Sequence, residues 1–192
     1  MTIFKTIFNP QGKFQENQLL ILGVLCLLIG SFVGTFAQIS YDGVFDVHLS
    51  KNVSFGDSIV ENIINILCVF VPLFIFGKII NNKTRWIDIL NASLLYRIPM
   101  FLSVPFAKLP VFEKISQLAV ENQIDSFPFS VMDLVQITFA SLFILLLLTY
   151  AIILLVNGFK TATNTKKWQH FVVFTLLLIV AEIISKLLIT NI

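Results

Sequence analysis

The sequence predicts an all-α integral membrane protein, a bundle of five transmembrane helices preceded by a short leader. Of its 192 residues, 57% are hydrophobic and 12% are charged, and the mean hydropathy is +0.90, whereas soluble domains contain about 25% charged residues. Five apolar runs are each long enough to cross, as a helix, a hydrocarbon core about 30 Å thick. Basic residues between these runs also alternate in number, which indicates the topology.

The chain divides into an amphipathic cytoplasmic leader, residues 1–18, and a transmembrane domain, residues 19–192. Apolar residues of the leader recur at helical intervals until Asn9-Pro10 interrupts the pattern, as Ile3, Phe4, Ile7 and Phe8. This spacing predicts a short helix in the membrane interface. The alternative is that these residues pack beneath the cytoplasmic face of the bundle.

Five spans account for the transmembrane domain. The first is uncharged over 21 residues, longer than the 7–15 residues of a typical signal-peptide core, so a membrane span is favoured over a cleaved signal. The third is the least hydrophobic and contains Pro99 and Pro105, which can kink a helix, so we expect it to pack inside the bundle. The predicted bounds are 19–39, 58–80, 86–106, 132–156 and 171–188.

Lys and Arg residues predict the orientation. Two precede the first span, one (Lys51) follows it, and the next three segments hold three, two and three. Alternate segments therefore hold eight against three, which places the N-terminus in the cytoplasm and the C-terminus outside. We expect a multi-pass protein of a bacterial cytoplasmic membrane. Acidic residues concentrate in the two outer loops: Asp42, Asp46, Asp57, Glu113, Glu121 and Asp125.

Charges inside a membrane are costly and mark candidate sites. Arg97 lies eleven residues after Trp86, and Glu182 lies eleven residues after Phe171. Both should therefore lie about 16 Å from the cytoplasmic rim. If helices three and five are neighbours, Arg97 and Glu182 form a buried ion pair, which either locks the bundle or serves transport or proton relay. Alternatively, Glu182 pairs with Lys186, four residues later.

Other polar and small residues are secondary candidates. Asp88 lies beside Arg85 near the cytoplasmic rim, where we expect it to be solvated. Asn65 would line a hydrated path if the protein conducts a solute. Gly30 and Gly34 form a GxxxG motif, which permits close approach of another helix and predicts an internal packing face.

No catalytic or metal-binding motif is present in the sequence. HExxH, GxSxG and Walker-type patterns do not occur, and Cys26 and Cys68 lie inside apolar runs without a metal-ligand spacing. We therefore expect no enzyme activity and no cofactor. No basic stripe of the kind that follows a phosphate backbone is present, which argues against nucleic acid as a partner.

Soft motifs along the chain resemble one known family. They are Asn9-Pro10 in the leader, residues 91–99 (NASLLYRIP) in helix three, and residues 157–162 (NGFKTA) closing helix four. With five spans, the chain resembles the Yip (Ypt-interacting protein) domain family, especially its short bacterial members. The resemblance implies a five-helix bundle with a cytoplasmic N-terminus. Eukaryotic members are associated with Rab-type GTPases and Golgi traffic, but this chain lacks their Asp-Leu-Tyr-Gly-Pro stretch.

These observations favour a non-enzymatic membrane-organising or partner-binding protein, contacting lipids and a protein partner at its cytoplasmic face. The oligomeric state stays open. The alternative is a small channel or transporter in which Arg97, Glu182 and Asn65 line a hydrated path. Dry, bonded side chains would favour the first function and a water-filled cavity the second. An enzyme acting on lipid would need a polar pocket near Asp88 or Asp133.

Overall fold

Five helical segments of the protein are long and apolar enough to cross a membrane, in agreement with the sequence. The computed structural model describes residues 3–50, 52–120 and 129–191. Three charges counted above, Lys51, Glu121 and Asp125, lie outside the described residues. The five segments are Glu16–Ala37 (α2), Phe55–Ile80 (α3), Trp86–Ala107 (α4 and α5), Val131–Thr163 (α7) and Trp168–Thr190 (α8). The shorter elements are α1 (Ile3–Phe8), β1 (Ile39–Ser40), β2 (His48–Leu49) and α6 (Pro110–Val120).

The third segment consists of two helices, α4 (Trp86–Leu95) and α5 (Arg97–Ala107), separated at Tyr96. Pro99 explains the interruption, because it has no N–H to donate and its ring collides with the carbonyl four residues earlier. The segment is 67% buried, against 22–33% for the other four. The predicted interior position is thus confirmed, and the helix is interrupted before Pro99, whereas Pro105 lies within α5. Because the break falls at Tyr96, Arg97 becomes the first residue of α5.

Polar residues at the helix starts satisfy amide groups that have no partner within the helix. The Ser54 hydroxyl accepts from the Asp57 N–H at 3.1 Å, and the Asp57 carboxylate accepts from the Ser54 N–H at 3.0 Å. Ser130 and Asp133 form the same reciprocal pair at 3.1 and 2.9 Å. Such caps, worth about 1 kcal/mol each, fix the starts of α3 and α7.

Apolar side chains cover the outside of the spanning helices. Phe36 is 86% exposed, Ile79 is 76% exposed and Leu146 is 65% exposed. Small residues allow the helices to approach closely inside. A Cβ at Gly30 would lie 2.3 Å from the Phe101 ring, and one at Gly34 would lie 2.5 Å from the Tyr41 ring. The GxxxG motif therefore faces the interior, where close packing stabilises membrane helices.

The leader forms helix α1, followed by a 3-10 turn at Pro10–Gly12. Side chains of α7 hold its backbone: Asn157 Nδ2 donates to the Phe8 carbonyl at 2.8 Å, and the Tyr150 hydroxyl donates to the Ile7 carbonyl at 3.1 Å. The leader thus packs on the bundle at the end where α2 begins, which we call the N-terminal side. The opposite side carries the α2–α3 connection and α6.

Candidate functional site

The connection between α2 and α3 enters the bundle as an inserted loop, residues 38–49. Its ends pair as two short antiparallel strands, with Ile39 opposite Leu49 and Ser40 opposite His48. Part of the loop between the strands is deeply buried: Tyr41 and Val44 are both 0% exposed, whereas the Asp46 side chain is 46% exposed. Val44 belongs to the main apolar core. Non-helical backbone therefore lies inside the bundle, away from water.

Buried backbone groups of this kind need hydrogen-bond partners, because an unpaired N–H or C=O removed from solvent is costly. Two side chains of α3 serve Tyr41: Glu61 Oε2 accepts from its N–H at 2.8 Å, and Asn65 Nδ2 donates to its carbonyl at 2.6 Å. From α8, Ser185 Oγ accepts from the Val44 N–H at 3.2 Å. Side chains of α3 and α8 thus bond the backbone groups that a neighbouring strand would bond in a larger sheet.

Arg97, at the start of α5, bonds the middle of the inserted loop, at Gly43 and Val44. Its side chain is 0% exposed. Nη1 donates to the Val44 carbonyl at 2.9 Å and to the Gly43 carbonyl at 3.3 Å. Nη2 and Nε both donate to Asn62 Oδ1, at 2.6 and 3.2 Å. The planar guanidinium, which has only donors, matches this set of acceptors.

Aromatic rings complete the surroundings of the Arg97 guanidinium. Its central carbon lies 5.3 Å from the ring centroid of Tyr41, 5.8 Å from that of Tyr96 and 5.7 Å from that of Phe101. These distances are within the range in which a cation is attracted to an aromatic face. The positive charge of Arg97 is therefore surrounded by two backbone carbonyls, the side-chain amide oxygen of Asn62 and three aromatic rings.

Glu182, on α8, bonds the same part of the inserted loop from another side. Its Oε2 accepts from the Phe45 N–H at 2.9 Å. Its Oε1 lies 3.6 Å from Lys186 Nζ, the i, i+4 contact that the sequence offered as an alternative. Lys186 Nζ makes a shorter ion pair with Asp46 Oδ2, at 2.5 Å. Both residues of α8 therefore bind the loop.

Arg97 and Glu182 are linked through one peptide group. The Val44 carbonyl and the Phe45 N–H belong to the same peptide unit; Arg97 donates to its oxygen, and Glu182 accepts from its nitrogen. No direct ion pair between the two side chains occurs among the described residues, so the predicted pair is not formed. The reason is physical: the inserted loop occupies the space between them. We call this arrangement the peptide bridge.

Two further residues of this cluster were not singled out from the sequence. They are Asn62, which accepts from Arg97 Nε and Nη2, and Ser185, which bonds Val44. Glu61, expected only as a charge at the outer helix end, is a third, because it accepts from the Tyr41 N–H. A signal existed for Asn62: Ser58, Asn62 and Asn65 are spaced four and three residues apart, which places them on one helix face. All three are 0% exposed. Ser185 had no comparable signal.

An ion pair anchors the exposed part of the inserted loop. His48 Nδ1 lies 3.0 Å from Asp42 Oδ2, and the His48 side chain is 54% exposed. The hydrogen bond to Asp42 raises the pKa of His48 above its ordinary value, against the lowering effect of partial burial. Burial, the largest single effect, would raise the pKa of Asp42, but the hydrogen bond and charge of His48, a backbone hydrogen bond and the Lys186 charge together lower it.

Asp88 lies at the N-terminal side of the bundle and is not part of the cluster around the inserted loop. Arg85 Nη2 and Nε donate to its two carboxylate oxygens at 2.8 and 3.0 Å. It lines a polar cavity of about 400 Å³ between the starts of α2 and α4. We call this cavity the rim pocket.

Comparison of the chain with protein-family models, with curated proteins and with solved structures gives no match. The Yip-type resemblance therefore stays a prediction.

Proposed function

We propose that the protein is a non-enzymatic membrane-organising or partner-binding protein of the Yip type. In this proposal it lies in a bacterial cytoplasmic membrane, with its N-terminus in the cytoplasm and its C-terminus outside. It contacts a protein partner through the N-terminal side, and its inner polar residues serve architecture.

The peptide bridge is the observation that carries the proposal. Arg97 and Glu182, the two charges expected near mid-membrane, are both bonded to the backbone of the inserted loop. Arg97 is fully buried. A transport site must bind and release a solute, which needs polar groups that can change partners. Here the donors of Arg97 are engaged by fixed protein acceptors, which favours a structural role.

Positive charge and the docked leader favour the N-terminal side as the partner-binding face. Eight Lys and Arg residues of the segments counted above belong to this side, against three for the opposite side. By the positive-inside rule this side faces the cytoplasm. The leader is fixed there by α7, through Asn157 and Tyr150. A partner would thus meet a preformed surface.

Site-specific photocrosslinking in native membranes tests partner binding. A photoreactive residue is placed at Lys83 or Lys166 on the N-terminal side, and at Lys108 or Glu113 on the opposite side as matched exposed controls. We expect the same protein adduct at both N-terminal positions and at neither control. Adducts with lipid alone at all four positions, or one protein adduct shared by all four, would contradict the proposal.

Flux into proteoliposomes tests the rival transport function. We expect ions and small solutes to enter vesicles containing the protein no faster than protein-free vesicles. A solute flux that requires the protein and is lost on Arg97→Leu, while the variant stays folded, would replace our proposal with the channel or transporter. Orientation is tested separately, by a fusion reporter at Asn191; activity only in the cytoplasm would refute the proposed topology.

A further inference from the structure

Two adjoining cavities lie on the N-terminal side. The rim pocket, about 400 Å³, is lined by Gln11, Glu16, Asn17, Arg85, Asp88 and Asn91, among others. A groove of about 570 Å³ shares three of these residues and adds Leu20, Phe74, Lys78, Lys83 and Trp86. The shared residues Glu16, Asn17 and Arg85 form the boundary between the two. One elongated ligand could therefore occupy both.

The rim pocket suits a cation that donates hydrogen bonds. Two carboxylates, Glu16 and Asp88, line it with one guanidinium, Arg85, which leaves a net charge of −1. Asn91 is 1% exposed and lines the same pocket. Its Nδ2 donates to the Glu16 carbonyl at 3.0 Å, but its Oδ1 accepts no hydrogen bond from any residue that the structure describes. A buried acceptor without a donor is costly, and a ligand with N–H groups would satisfy it.

The groove has the opposite character. Lys78, Lys83 and Arg85 line it against one carboxylate, Glu16, so its net charge is +2. Cationic side chains of this kind bind phosphate. Leu20, Phe74 and Ile87 supply an apolar wall along the same groove. The groove therefore fits a phosphate that is attached to an acyl chain.

We infer that the rim pocket and the groove together bind a phospholipid whose headgroup ends in a primary ammonium, as in phosphatidylethanolamine. The ammonium enters the rim pocket, the phosphate meets the cations of the groove, and an acyl chain follows Leu20 and Phe74. A choline headgroup has the same charge, but its trimethylated nitrogen has no N–H to donate. The inference goes beyond the proposed function and depends neither on a protein partner nor on the orientation of the bundle.

Native mass spectrometry of the full chain in detergent tests this inference. The protein is titrated with phosphatidylethanolamine, phosphatidylcholine and phosphatidylglycerol of identical acyl chains, and separately with free phosphoethanolamine. We expect phosphatidylethanolamine to bind about tenfold more tightly than phosphatidylcholine, the size of effect that one or two hydrogen bonds give. Free phosphoethanolamine should not displace it at equal concentration, because it has no acyl chain.

Matched variants locate the site. Glu16→Gln removes one charge from a half-buried residue in the first turn of α2, whose carboxylate pairs with Arg85 at 2.7 Å. Glu113→Gln makes the same change in the first turn of α6, where the carboxylate pairs with Lys108 at 2.8 Å. Asn91→Leu removes the unbonded acceptor, and Asn65→Leu removes a buried amide of the same kind away from both cavities, whose Nδ2 donates to the Tyr41 carbonyl and whose Oδ1 accepts no hydrogen bond from the described residues. We expect affinity for phosphatidylethanolamine to fall about tenfold in the first variant of each pair and less than twofold in the second.

Three results would overturn the inference. The first is equal binding of phosphatidylethanolamine and phosphatidylcholine, or a preference that survives in both Glu16→Gln and Asn91→Leu. The second is tighter binding of phosphatidylglycerol, which would mean that the cations of the groove alone decide affinity. The third is displacement by phosphoethanolamine at equal concentration, which would make the ligand a soluble amine.

Discussion

Replacing Arg97 by leucine should destabilise the protein strongly. The side chain makes four hydrogen bonds, to the carbonyls of Gly43 and Val44 and twice to Asn62 Oδ1. Interhelical hydrogen bonds in membranes average about 0.6 kcal/mol, which gives a lower bound of about 2.4 kcal/mol for four. Removing one side of a buried charged arrangement costs about 3–5 kcal/mol, which gives an upper value. We therefore expect a loss of about 2.4–5 kcal/mol in the free energy of unfolding.

Unfolding in mixed micelles, followed by circular dichroism as denaturing detergent is added, measures this loss. Lys83→Leu is the control, because it also replaces a basic residue by leucine, and the exposed Lys83 side chain makes no hydrogen bond or ion pair with any residue that the structure describes. A surface change of this kind should alter the unfolding free energy by no more than about 0.5 kcal/mol. Equal, small losses for both variants would show that Arg97 does not hold the inserted loop.

The double variant Arg97→Leu with Glu182→Leu distinguishes the peptide bridge from a direct ion pair. A direct pair predicts that removing both charges restores much of the stability lost in either single variant. The peptide bridge predicts the reverse, because the Val44 carbonyl and the Phe45 N–H both stay buried without partners. We expect the double variant to be less stable than either single one, and a double variant more stable than Arg97→Leu would refute the bridge.

Three further expectations concern packing, charge and the leader. Gly30→Ala should lower stability by about 1–3 kcal/mol in the same micelle assay, because its Cβ would lie 2.3 Å from the Phe101 ring. Gly56→Ala should not, because the atom nearest its Cβ, Ser54 Oγ, would lie 3.6 Å away. Equal effects would refute the close packing. His48 should titrate by NMR above its ordinary pKa of about 6.5, because its carboxylate partner favours the protonated form. The contribution of His48 to protein stability is then complete below about pH 6.5 and is lost as pH rises through the raised pKa. A titration midpoint below about 6.5 would contradict the ion pair. Asn157→Leu removes the bond to the Phe8 carbonyl and should speed hydrogen exchange in the leader without changing that of α3; unchanged leader exchange would mean that α7 does not hold it.

Much of the fold can be predicted from the sequence, because a bilayer limits the length and the composition of the helices that cross it. An apolar run of about 20 residues has few alternatives to a spanning helix. The break before α5 could likewise be anticipated, since Pro99 removes a backbone donor whatever its surroundings. The sequence also drew attention to Arg97 and Glu182 as unusual charges, and both side chains bond the same peptide group.

The inserted loop could not be predicted, because its cause lies in backbone groups. Every residue has an N–H or a carbonyl, so the sequence does not show which of them lose contact with water. The segment around Val44 alternates apolar and polar residues, as an exposed hairpin also would. The sequence therefore shows that polar residues such as Asn62 and Asn65 are unusual inside α3, but it does not show which groups they bond.

Hydrogen exchange of the Tyr41, Val44 and Phe45 amides, measured in lipid bilayers, tests the central claim most directly. All three lie outside helices, and each donates to a side chain of α3 or α8. We predict exchange as slow as that of the amides in the middle of α3, with Phe45 alone becoming fast in Glu182→Leu. Exchange at the rate of an exposed loop in the wild-type protein would contradict the inserted loop and the peptide bridge together.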